Sequence, residues 1–329
     1  MSGTKITKNI LSVQAGEVKD GSGKDLPGKE VAGIMENCEN QRMTEGTALT
    51  ELVRRTMKAL NETKGVREAG HACPPPDRRQ VIRVVKNLQA LLFPMSFRRE
   101  NPEMPDEQLL EKTLELLKGQ LAAALRFRAE EQDPEQAAGA MCGTFAGKLP
   151  RIRELLLKDV EALYEGDPAA VSREEVMICY PGFYAISIYR LAHELYLLDA
   201  PLIPRIMTEF AHEKTGIDIH PGATVGEYFF IDHGTGIVVG ETTTIGDHVK
   251  LYQGVTLGAR SFELDENGNP VKKIKRHPDI GNHVVIYANA TILGGDTVIG
   301  DRCVIGGNTW LTRSVAADSV VTYREENGE

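Results

Sequence analysis

No apolar run in the 329 residues reaches the length needed to cross a bilayer, which removes a membrane-spanning helix from consideration. The stretch from Met1 to Asn9 carries lysines but no apolar segment behind them. No secretory leader is therefore expected, and the cytoplasm is the expected compartment. Basic residues are in deficit: 38 Lys and Arg against 47 Asp and Glu give a net charge of -9, the wrong sign for a general nucleic-acid binder. Cysteines are few and scattered. Cys38, Cys73, Cys142, Cys179 and Cys303 are odd in number and never spaced as a metal or redox pair, which suits free thiols in a reducing compartment.

What the sequence has in abundance is a period of six. Between Ile219 and Leu311 an aliphatic residue returns at Ile219, Val225, Ile231, Val239, Ile245, Leu251, Leu257, Ile280, Ile286, Ile292, Ile299, Ile305 and Leu311, with irregular steps after Ile231, Leu257 and Ile292. That spacing fits neither an α-helix nor an alternating strand. Seven of these residues are followed at once by glycine (Gly226, Gly240, Gly246, Gly258, Gly281, Gly300 and Gly306), which suits corners where the backbone leaves little room for a side chain. The pattern is that of a hexapeptide-repeat parallel β-helix, in which stacked triangular coils bury an aliphatic ladder that no single repeat could bury alone. Short hexapeptide coils resemble the known left-handed exceptions to the crossover rule, so a left-handed parallel β-helix is expected.

Ahead of the repeat the periodicity is helical. Leu49, Leu52, Val53, Met57 and Leu60 mark one helix, and Val81, Val84, Val85, Leu88, Leu91 and Leu92 a second one capped near Asp77. A third is expected over about 106–129 and a fourth over about 149–165, with Pro150 in its first turn. Two more follow, from about Gly182 to Leu198 and from Leu202 to Lys214. The resulting organisation is a multidomain α+β chain. A loosely packed arm covers 1–45, an α-helical domain 46–215, the β-helix 216–319 and a short polar tail 320–329.

After Leu257 the chain takes 17 residues more than one six-residue step before Ile280, so an extended loop is expected over 259–279. Asn267-Gly268 within it favours a tight hairpin turn. The loop ends in Lys272, Lys273, Lys275, Arg276 and His277. These residues either line a solvated surface or face the phosphates of a coenzyme. Tyr252 and Tyr287, which stand where the repeat often has glycine, are read as packing.

Three polar segments interrupt the repeat: Gly216-Ile217-Asp218-Ile219-His220-Pro221, then Ile231-Asp232-His233-Gly234-Thr235-Gly236 through Glu241, then Lys275-Arg276-His277-Pro278. With Leu251-Tyr252-Gln253-Gly254-Val255-Thr256-Leu257-Gly258, and with Asp167-Pro168-Ala169, Gly182-Phe183, Ala185, Tyr189-Arg190 and His193 in the helical part, these segments make the chain resemble the serine O-acetyltransferases over about 167–314. A hexapeptide fold alone would not set the function.

The resemblance implies transfer of an acetyl group from acetyl-CoA to the hydroxyl of L-serine, for cysteine biosynthesis. His233 is the expected general base, since an imidazole is largely neutral at cellular pH. Asp218 is the residue that would orient it. Asp167, with Pro168 beside it, and Asp232 would take the substrate ammonium, and Arg276 its carboxylate, with His277 beside it as the second histidine of the substrate pocket. Attack would be direct, because no cysteine lies in these segments. Backbone N–H groups near Gly258 and Ala259 are candidate donors to the oxyanion, and coenzyme A would lie along Gly258, Ala259, Ala288 and Gly307. No metal is expected.

The resemblance further implies L-cysteine as a feedback inhibitor and a homotrimer or a dimer of trimers. The sequence ends at Asn327-Gly328-Glu329 without the longer isoleucine-ended tail of many members, so a complex with cysteine synthase is not expected. Other readings are an acetyltransferase acting on homoserine or a sugar, a zinc carbonic-anhydrase-like protein using His220, His233, His248 or His283, and a non-catalytic scaffold. Asp232 and Asp167 could instead serve only as turn or helix caps.

Overall fold

The computed structural model describes residues 48–62, 73–128 and 131–322. The arm at 1–45, Cys38 and the end of the tail lie outside the described residues. The chain divides into two units, Met1–Gly70 and His71–Glu329. In the first, helix α1 is described over 48–62, and its apolar stripe of Leu49, Leu52, Val53, Met57 and Leu60 is exposed.

The second unit opens with six helices. Helix α2 (Arg78–Leu92) starts where Asp77 accepts from the Arg79 N–H, as its sequence signals. Helix α3 (Asp106–Arg128) packs against α4 (Pro134–Gly166), and Leu117, Leu121 and Leu125 join Phe145, Ile152 and Leu156 in one core. Helix α4 corrects the expectation of a helix starting near Leu149. Asp133 caps it, Pro134 opens it, and it runs for 33 residues with Pro150 inside. The reason is an unbroken stripe of Ala138, Cys142, Phe145, Leu149, Ile152, Leu156, Val160 and Leu163 that passes the proline on the inward side, while Pro150 itself is exposed. Burial along that stripe outweighs the roughly 3 kcal/mol that an interior proline costs a helix. Helix α5 (Arg173–Cys179) was not expected, although Ser172-x-x-Glu175 is a capping signal and the Ser172 hydroxyl accepts from the Glu175 N–H. Helices α6 (Pro181–Leu197) and α7 (Ile203–Thr215) agree with their apolar patterns.

From Asp218 onward the chain winds as a left-handed parallel β-helix with three sheets. Sheet 1 stacks β1 (Asp218–Ile219), β4 (Val238–Val239), β7 (Thr256–Gly258), β10 (Thr291–Leu293) and β13 (Trp310–Leu311). Sheet 2 stacks β2 (Thr224–Val225), β5 (Thr244–Ile245), β8 (Asp279–Ile280) and β11 (Val298–Ile299). Sheet 3 stacks β3 (Phe230–Ile231), β6 (Lys250–Leu251), β9 (Val285–Ile286), β12 (Val304–Ile305) and β14 (Val320–Val321). Every aliphatic of the six-residue pattern lies in one of these strands, and all but the half-buried Leu311 are buried. Each contributes roughly 1.5–3 kcal/mol relative to exposure.

The helices are fastened to the coil between sheets 2 and 3 by a buried ion pair. Arg190 of α6 donates to both carboxylate oxygens of Asp159 on α4, at 2.6 and 2.8 Å. The same guanidinium donates to the Gly226 carbonyl at 2.8 Å, and Asp159 accepts from the Phe229 N–H at 3.0 Å. Burial, opposed by the neighbouring guanidinium, sets the Asp159 carboxyl above its ordinary value.

Candidate active site

The irregular step between Ile231 and Val239 is two residues longer than the repeat, and it forms an outward bulge at the corner where sheet 3 passes to sheet 1. His233 stands at its tip with φ 54°, and the Gly234 N–H reaches back to the Asp232 carbonyl at 2.5 Å. Glycine is required next to it. At Gly234, with φ 89°, an added Cβ would come within 2.4 Å of the Ile217 side chain. The bulge leaves the His233 side chain 73% exposed, with Nε2 3.8 Å from Asp232 Oδ1.

Two glycines bring the helices to this corner. A Cβ at Gly166 would meet the Phe230 ring at 2.6 Å, and one at Gly182 the Ile231 carbonyl at 2.9 Å. The end of α4 and the start of α6 therefore lie flat on β3 and carry Asp167 and Tyr180 to the bulge. Asp167 is the C-cap of α4. Its Oδ1 accepts from the Ala169 N–H at 2.8 Å and its Oδ2 from the Tyr180 hydroxyl at 2.5 Å. The Tyr180 bond, with smaller help from Ala169 and the nearby His233, holds the Asp167 carboxyl below its ordinary value. The same bond pushes the Tyr180 phenol up to about 12. Pro168 is exposed beside them. Tyr252 and Tyr287 stack on this side of the coil, with centroids 4.9 Å apart. Tyr287 keeps 43% of its surface exposed, so it is only partly packed.

The second cluster occupies the next corner, between sheets 1 and 2, where the loop after β7 rejoins the coil. Arg276 donates to Glu241 Oε2 at 2.5 Å and to the Ile274 carbonyl at 3.3 Å. Glu241 in turn accepts from the Tyr196 hydroxyl at 3.0 Å. His277 is buried at 7% exposure, in space that only a glycine leaves free: a Cβ at Gly240 would sit 2.0 Å from its ring. Its Nδ1 accepts from the Thr242 N–H at 3.1 Å, which leaves the proton of the neutral ring on Nε2. Burial, then the Arg276 charge, pushes His277 down to about 4. His220 lies at the same corner, where its Nδ1 accepts from the Gly222 N–H at 3.0 Å and burial lowers its pKa. The loop itself contains the expected turn. Gly268 has φ 78°, and Leu264 and Pro270 form an antiparallel bridge across it. Lys272 and Lys273 are exposed, while Lys275 is held by Asp279 and the Thr242 carbonyl.

The expected site residues are thus divided between two corners of one prism. Asp167, Asp232 and His233 gather at the first, with Ala288 and Gly307 stacked in the coils above. Arg276 and His277 occupy the second, at the end of the excursion that Gly258 and Ala259 begin. Asp218 is on the sheet 1 face, paired in register with Val238 one coil up. Its carboxylate lies with Glu209 and His212, all ligand-type atoms within 4.8 Å. This is the group of metal-ligand type found among the described residues, and it contains none of the four histidines considered for zinc. His248 and His283 stand at the third corner instead, as parallel rings 4.7 Å apart. Sequence reasoning missed Tyr180, Tyr196, Glu241 as a partner of Arg276, and Thr242. No local motif marks them, because their partners are 13 to 45 residues away.

No family model matches the chain. A relative from Synechococcus elongatus named "Serine acetyltransferase, plasmid" is 48% identical over 267 residues, which is 77% of this chain and 83% of the relative. Serine acetyltransferase 1 of Entamoeba histolytica, solved in complex with L-cysteine, superposes with a TM-score of 0.65 at 37% identity over 73% of this chain and 86% of that one. The serine acetyltransferase of Neisseria gonorrhoeae in complex with serine matches with a TM-score of 0.50 at 27% identity, over 75% of this chain and 95% of that one. Sequence relatives and three-sheet prism agree, and the chain belongs to the serine acetyltransferases.

Proposed function

We propose that this chain acetylates L-serine with acetyl-CoA in a seam between two copies, where the His233 corner of one prism meets the Arg276 corner of the next. The observation that carries this is the separation of the two clusters. Serine presents an ammonium and a carboxylate a few ångströms apart, and one chain holds the acids at one corner and the arginine at another. Association into a closed ring satisfies both ends at once, and a trimer matches the three-sided section.

In this reading Asp167 and Asp232 receive the ammonium, while Arg276, steadied by Glu241, receives the carboxylate through its remaining N–H groups. His277, neutral and buried, can only donate from Nε2 toward the same pocket. His233 takes the serine hydroxyl proton as the oxygen attacks the thioester, and Asp218 orients the imidazolium that forms. The tetrahedral oxyanion is met by backbone N–H groups near Gly258 and Ala259, and coenzyme A runs along Gly258, Ala259, Ala288 and Gly307. L-cysteine shares the ammonium and carboxylate of serine, so it competes for the same grip. The Entamoeba relative crystallised with L-cysteine supports this, and the product then serves cysteine synthesis.

Co-expression of His233→Ala and Arg276→Ala chains tests the composite site. Each variant alone should release almost no free thiol from acetyl-CoA with serine. Random mixing should restore about a quarter of the sites, those built from the intact corner of each chain. Mixed assemblies no more active than the separate variants would place the whole site within one chain and overturn the proposal.

A further inference from the structure

We infer that Tyr180 is a positioning residue for the acetyl acceptor: its hydroxyl fixes the Asp167 carboxylate in the orientation that receives the amino group of serine. The inference rests on the reading of Asp167 as an ammonium-binding residue. Both Asp167 oxygens are engaged, Oδ1 by the Ala169 N–H and Oδ2 by the Tyr180 hydroxyl, so the carboxylate plane cannot turn about its side-chain bond. A carboxylate at this place needs such help, because the C-terminal end of the 33-residue α4 is the negative end of its dipole.

Tyr180 is itself held from several directions. It ends α5 with its N–H on the Val176 carbonyl, and it precedes Pro181 and the Gly182 that lies on Ile231. Its side chain makes no helix-cap bond, so the phenol is spent on Asp167 alone. Because the phenol keeps its proton through neutral pH, it acts as a fixed donor. The pair stands beside the bulge: His233 is close enough to favour the Asp167 carboxylate, and Asp232 close enough to act on the Tyr180 phenol.

The test is a double-mutant cycle with Tyr180→Phe and Asp167→Asn, read as kcat, KM for L-serine and KM for acetyl-CoA, with melting temperature as the control for folding. Tyr180→Phe should raise KM for serine about ten-fold, the loss expected for a hydrogen bond to a charged group. It should leave KM for acetyl-CoA unchanged and kcat nearly so. In the Asp167→Asn background the same substitution should add nothing. An unchanged KM for serine in Tyr180→Phe, with Asp167→Asn clearly impaired, overturns the inference and leaves the reading of Asp167 standing. An equal loss in both backgrounds also overturns it, since the phenol would then support only the helix junction. If Asp167→Asn binds serine normally, the reading of Asp167 fails and this inference falls with it.

Discussion

Replacing Arg190 by methionine removes the guanidinium that joins α4 and α6 to the coil beneath them. Asp159, fully buried, would be left without its partner, and the Gly226 carbonyl would lose its donor. Breaking a buried pair from one side costs about 3–5 kcal/mol, which for a chain of this size lowers the melting temperature by roughly 6–20 °C. The apolar double replacement Asp159→Leu with Arg190→Met removes the stranded charge but not the stranded backbone groups. The Phe229 N–H, bonded to Asp159 at 3.0 Å, and the Gly226 carbonyl would both remain unpaired, at about 1–3 kcal/mol each. The double variant should therefore recover only part of the loss, unlike a buried pair that bonds nothing but itself. Urea unfolding at one fixed chain concentration, followed by far-ultraviolet circular dichroism, reads all three. A single Arg190→Met variant within about 1 kcal/mol of the parent, or a double variant as stable as the parent, would refute this account of the clamp.

Other outcomes follow from particular contacts. Pro150→Ala should stabilise the protein by about 1–2 kcal/mol, since it restores a hydrogen bond inside α4 at an exposed position and gives back only part of that to unfolded-chain entropy; a lower melting temperature would contradict this. Gly240→Ala should displace the His277 ring, which an added Cβ would meet at 2.0 Å, so serine turnover should fall at least ten-fold with the helical circular dichroism retained. His277 titrates near 4 when folded and near 6.5 when unfolded. The unfolded chain takes up the proton first as pH falls, so stability holds above about 6.5 and declines by up to about 3 kcal/mol toward pH 4. His277→Asn should flatten that decline in urea midpoints measured across the window. His233→Ala should lower kcat by several orders of magnitude while melting normally, because the side chain is exposed and supports no core contact.

The prism was legible because its signal is local and periodic. One aliphatic every six residues specifies which side chain points inward, and all of those positions lie in strands. The irregular step after Ile231 was legible too, and its two surplus residues are the ones the structure turns outward as the bulge. Helix α4 was misjudged because Pro150 was read as a first-turn residue marking a helix start, whereas the decisive fact is the stripe on the opposite side of the helix. The partition of the site between corners follows from the coil path, because His233 lies between a sheet 3 and a sheet 1 strand and Arg276 between a sheet 1 and a sheet 2 strand. The tyrosines were not legible. Tyr180 and Tyr196 look like ordinary ends of an amphipathic helix, and only folding shows that Asp167 and Glu241 lie under their hydroxyls.

Those two tyrosines stand at opposite ends of α6, Tyr180 as its N-cap and Tyr196 as its penultimate residue, and its 17 residues span about 25 Å. The helix therefore works as a ruler between two carboxylates on different vertices of the scaffold. Adding one residue would lengthen it by about 1.5 Å and swing one end through about 100°, so the two phenols could not both keep their acceptors. A surface loop tolerates an inserted residue, but this segment has a gauge it must keep.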